Sequence, residues 1–72
     1  EPDGREILKV FPNFTDGLDY IIYREDGEFK GTNEVNFYST ISNAREIVIF
    51  RDFETIEEII DYVNKYFKRD RM

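Results

Sequence analysis

Hydrophobic positions fall into one long helical stripe and several short strand-like runs. From Asp52 to Arg69 the chain reads DFETIEEIIDYVNKYFKR, with Phe53, Ile56, Ile59, Ile60, Val63, Tyr66 and Phe67 at spacings of three and four. On a helix of 3.6 residues per turn these positions form one apolar stripe. Glu54, Glu57, Glu58, Asp61, Asn64, Lys65 and Lys68 take the other side. The pattern predicts a C-terminal helix over 53–69 whose apolar face must be covered by the rest of the chain. Two N-caps compete. Thr55 opens a capping box with Glu58, while Asp52 stands directly before the stripe; the start of the stripe at Phe53 favours Asp52.

Upstream, REILKVF over 5–11 is bounded by Gly4 and Pro12 and reads as a strand. Strict alternation puts Leu8 and Val10 on one side, Ile7 and Phe11 on the other. Proline cannot donate to a ladder, so Pro12 is expected to end the strand, with Phe14 folding back onto the core. The clearest local signal is Asp26-Gly27 between two strand-like runs, 18–25 and 28–38. Such a pair favours a two-residue type I′ hairpin, which sets Arg24 opposite Phe29, Ile22 opposite Gly31 and Tyr20 opposite Asn33. Continuing the second strand to 38 gathers Leu18, Tyr20, Ile22, Phe29, Val35 and Phe37 on one face. Asp19, Ile21, Tyr23, Glu25, Glu28, Lys30, Thr32, Glu34 and Tyr38 take the other. Residues 34–41 also have helical spacing with Asn33 as a cap, but their β-preferring composition favours the strand. After a turn at Ser42-Asn43, REIVIFR over 45–51 reads as a fourth strand. The expected fold is α+β: a small antiparallel sheet of three to four strands packed on one C-terminal helix.

Seventy-two residues suffice for one small domain over 1–72, which buries only about 60% of its unfolded surface. Cysteine and histidine are both absent. That removes disulfides, thiolate and imidazole metal ligands, and the usual bases for a Ser or Thr nucleophile, so no enzyme, cofactor or metal site is expected. The Glu25-Asp26-Gly27-Glu28 turn does not fit a calcium loop. Sixteen carboxylates against ten Lys and Arg give a net charge of −6, which argues against direct nucleic-acid binding. Lys65, Lys68, Arg69 and Arg71 suit the C-terminal end of a helix dipole. No apolar run is long enough for a membrane span and no signal-peptide pattern is visible, so the expected location is cytoplasmic. A start at Glu1 rather than Met is compatible with a removed N-terminal segment.

What remains is surface. One helix covers one sheet face, which leaves Ile21, Tyr23 and Tyr38, rimmed by Glu25 and Glu28, as expected partner-binding residues. The expected function is a non-enzymatic protein-interaction or regulatory module with a protein partner. Self-association through the uncovered sheet face is one form of it. The alternative is an acidic inhibitor or nucleic-acid mimic presenting Glu54, Glu57, Glu58 and Asp61, with Asp19, Glu25, Glu28 and Glu34, to a basic groove.

Overall fold

The computed structural model describes residues 4–39 and 44–67. A four-stranded antiparallel sheet in the order β1-β2-β3-β4 carries a C-terminal helix, the expected α+β arrangement. The elements are β1 (Glu6–Thr15), β2 (Leu18–Glu25), β3 (Glu28–Asn33), α1 (Glu34–Tyr38), β4 (Val48–Ile49) and α2 (Ile56–Tyr66). The Ser42-Asn43 turn and the last residues of the expected C-terminal helix lie outside the described residues.

The hairpin follows its turn chemistry. Asp26 and Gly27 both take positive φ, 55° and 76°. Arg24 pairs with Phe29, Ile22 with Gly31 and Tyr20 with Asn33, as the turn position requires.

β1 departs from strict alternation and runs on through Pro12. It is an edge strand, where a proline costs no ladder bond if its nitrogen points away from the neighbour. Ile7 pairs with Tyr23 and Lys9 with Ile22, so one residue of β1 is extra at Leu8. That bulge moves every later side chain to the other face. Ile7 and Phe11, expected on one side, therefore pack into different clusters. A second irregularity between Phe11 and Thr15 centres on Asn13, at φ 51°. The Asp19 carboxylate accepts its N–H at 2.9 Å, which satisfies a donor that the ladder misses. Phe14 is consequently turned fully inward, 5.1 Å from the Phe11 ring and 5.8 Å from Tyr20.

The strand expected over 28–38 stops at Asn33, and a short helix follows. The Asn33 side chain accepts the Asn36 N–H at 2.7 Å, capping the helix. Asn36 in turn donates to Thr32 Oγ1 at 2.8 Å, and Thr32 donates to the Glu46 carbonyl at 3.0 Å. Thr32 and Asn36 are buried, so this chain of hydrogen bonds supplies partners for interior polar groups. Local capping and the burial of Phe37 override the β-preference of Val35, Phe37 and Tyr38. The fourth strand shrinks from 45–51 to Val48–Ile49, preceded by a 3-10 turn at Ala44–Glu46. Phe50 extends the pairing by donating its N–H to the Phe29 carbonyl at 2.9 Å.

α2 starts at Ile56 rather than at Phe53, and Thr55 rather than Asp52 is its cap. Thr55 Oγ1 accepts the Glu58 N–H at 3.3 Å, while Glu58 Oε1 accepts from Thr55 at 3.3 Å and Glu54 at 2.9 Å. A reciprocal box satisfies more orphan N–H groups than a lone aspartate can, which decides between the two caps. Phe53 is left in the connection before the helix.

Two apolar clusters result. Under α2, Ile59 and Val63 meet Phe11, Phe14, Tyr20, Ile22 and Phe50. On the opposite face Ile21, Tyr23 and Ile7 meet Phe37. Phe37 thus covers the face that was expected to stay bare, and Val35, expected under α2, is 61% exposed.

Candidate functional site

The residues expected to bind a partner are divided between interior and surface. Ile21 and Tyr23 are 2% and 1% exposed, so α1 has taken the place of a partner over them. The Tyr23 ring meets Phe37 edge-on at 4.9 Å. Tyr38, on the outer side of α1, is 58% exposed. Glu25 lies in an ionic cluster, 3.0 Å from Lys30 Nζ and 4.0 Å from Arg5 Nε. Arg5 also donates to the Phe37 carbonyl at 2.8 Å and stacks on its ring at 4.9 Å, tying β1 to α1. Glu28 is 3.5 Å from Arg51 Nε. The five residues do not form one contact surface.

Protonation in this region is linked to folding at alkaline pH. Burial, and then the Glu25 charge, raise the Tyr23 phenol above its ordinary value; burial raises Tyr20 further. The hydrogen bond to Glu25 raises Lys30. Each raised group holds its proton more tightly folded than unfolded, so its contribution is complete below the unfolded value and lost as pH climbs through the folded one. All three place the loss above about pH 10. The melting midpoint should therefore begin to fall there, with part of the tyrosinate absorbance appearing only as the chain unfolds. If Tyr20 and Tyr23 ionise in the folded chain near pH 10, their burial is wrong.

A different surface gathers apolar side chains that remain open. Between the hairpin tip and the 50–54 connection lies a depression of about 430 Å³, lined by Arg24, Glu28, Phe29, Phe50, Phe53 and Glu54 among others. On the far side of the same connection a second, of about 280 Å³, is lined by Val48, Ile49, Phe50, Phe53, Tyr62 and Phe67 together with Arg51 and Asp52. Phe50 and Phe53 form the partition, 5.8 Å apart, and Tyr62 closes on Phe53 at 5.3 Å. Val48, Ile49 and Tyr62 are 38%, 39% and 36% exposed along this groove. Arg24 lies over the Phe29 ring at 4.8 Å.

The start of α2 is what opens the groove. A cap at Asp52 would have drawn Phe53 into the helical stripe; the cap at Thr55 leaves it partly buried between two depressions. Sequence patterning placed Phe29 on the helix-covered face and Phe53 in the helical stripe, and missed this role. The signal that could have found it was the Thr55–Glu58 box.

Among the described residues no three acidic side chains converge as a metal site would require, and no helix is long and apolar enough to cross a membrane. No protein-family model matches this chain, and neither a curated protein nor a solved structure does.

Proposed function

We propose that the chain is a non-enzymatic protein-interaction module of the cytoplasm that holds a segment of a partner protein in the groove around Phe50 and Phe53. One observation carries this reading: Val48, Ile49 and Tyr62 stay more than a third exposed beside two adjoining aromatic-lined depressions. Apolar side chains grouped around a concavity, rather than scattered singly, are what a docking surface requires. Tyrosine adds contact area at low entropic cost and a polar tip that tolerates water when the site is empty. The chemistry of the sequence supports binding over catalysis, since the side chains that most often act as base or soft nucleophile are missing. Self-association through the sheet face loses its support, because Phe37 covers that face.

The acidic-mimic reading draws on the exposed carboxylates of Glu54, Glu57, Glu58 and Asp61. It differs in a measurable way, for mimicry needs the charges and not the groove. Affinity capture with the immobilised chain, repeated with Tyr62→Ser, separates the two. Groove binding predicts a loss of more than about tenfold for a captured partner, with circular dichroism unchanged. Retention of the partner by Tyr62→Ser together with its loss in high salt would favour mimicry. Sedimentation of the chain alone should report a monomer.

A further inference from the structure

We infer that the segment seated in this groove is basic as well as apolar: a peptide stretch with an aliphatic or aromatic anchor flanked by Lys or Arg. The inference rests on the groove reading and adds the chemistry of the occupant. The floor is aromatic, with Phe29 at one side of the partition that Phe50 and Phe53 form. Taken together the two linings carry three carboxylates, Glu28, Asp52 and Glu54, against two arginines, Arg24 and Arg51. Asp52 and Glu54 line the two depressions, and Glu58 sits beside Glu54, whose N–H it accepts at 2.9 Å. Of the two cations there, Arg51 is already 3.5 Å from Glu28, and Arg24 lies over Phe29 with Glu6 opposite it on β1.

Beyond the groove the whole chain carries −6, so a cationic segment is drawn in and an anionic one repelled at long range. The same field disfavours a second copy of this chain, which would bring an identical acidic rim against the first, and it disfavours nucleic acid. An anchor alone would fill either depression. The rim charges then select among anchors by their neighbours, which is how charge complementarity gives specificity more than affinity.

Three capped synthetic decapeptides provide the test: alternating Lys with Leu and Phe, alternating Glu with Leu and Phe, and alternating Lys with Ser. Amide chemical shifts and fluorescence anisotropy are followed on the full chain. The Lys–Leu/Phe peptide should bind, shift amides of 48–54, and weaken more than about tenfold with Tyr62→Ser. Its affinity should also fall several-fold on adding salt from about 50 to about 500 mM, and on making Asp52→Asn with Glu54→Gln. Equal binding of the Glu–Leu/Phe peptide overturns the charge preference and leaves the groove reading standing. Equal binding of the Lys–Ser peptide overturns the groove itself and leaves only the acidic surface. No binding by any of the three overturns both.

Discussion

Replacing Gly31 by alanine should destabilise the domain by about 1–3 kcal/mol, and valine should leave little folded chain. Gly31 stands in β3 opposite Ile22 and beside Val48 of β4, so its position is enclosed by the sheet. A Cβ there would lie 2.6 Å from Tyr20 Oη, and 3.0 Å from both Tyr20 Cζ and Phe50 Cε2. Neither ring can step aside freely, for Tyr20 is 7% and Phe50 4% exposed. Alanine would gain something by restricting the unfolded chain, but at most about 1 kcal/mol. A domain of this length holds roughly 4–11 kcal/mol in total at typical stability per residue, so the net loss is a large share.

The contact has a built-in control. Tyr20 Oη is buried and finds no protein hydrogen-bond partner among the described residues. Removing it as Tyr20→Phe should be neutral or stabilising, because a buried hydroxyl without a partner contributes no net bond. In the double variant the closest clash is gone, so Tyr20→Phe should recover part of the Gly31→Ala loss. Urea denaturation of the four proteins measures that coupling directly. Simple additivity, or wild-type stability for Gly31→Ala, would show that Tyr20 does not cross Gly31. Phe50 also partitions the proposed groove, so the same substitution should weaken peptide binding beyond its effect on folding.

Gly31 illustrates which parts of the fold were legible. The hairpin register followed from Asp26-Gly27 alone, since turn geometry is a property of the two residues in the turn. The β1 bulges were not legible, because strict alternation carries no mark of the extra residue at Leu8, and the turn at Asn13 is held by the Asp19 carboxylate from the next strand. α1 was visible as an alternative through its Asn33 cap. The choice for strand failed because β-propensity is overruled when a side chain such as Phe37 gains full burial elsewhere. The candidate site was least legible. Tyr38 is as exposed as a contact residue should be, but hydropathy cannot say whether Ile21 and Tyr23 face a partner or a neighbouring helix. Nor can it tell a floor of aromatic side chains from a core, which here depends on where α2 begins.

Phe37→Ala should be the most damaging single truncation on the second face, at about 3–5 kcal/mol. Phe37 has no exposed surface, and it meets Tyr23 edge-on at 4.9 Å beneath the Arg5 guanidinium. Its loss removes the only α1 side chain in the cluster of Ile21, Tyr23 and Ile7. α1 is a helix of five residues and has little cohesion of its own, so without Phe37 its attachment falls to Arg5, Glu34 and Asn36. The freed sheet face would then present adjacent Ile and Tyr side chains, an apolar patch that favours self-association. Phe37→Leu, which keeps part of the volume, is the variant in which that consequence can be read on a chain that still folds. Sedimentation should show concentration-dependent dimers for Phe37→Leu and a monomer for wild type. Tyr38→Ser, on the outer side of the same helix, gives up its edge-on contact with Phe37 at 4.9 Å, so it should cost about 0.5–1.5 kcal/mol and remain monomeric. Equal dimerisation of wild type and Phe37→Leu would mean that α1 does not guard the face, returning Ile21 and Tyr23 to the contact surface their alternation first suggested.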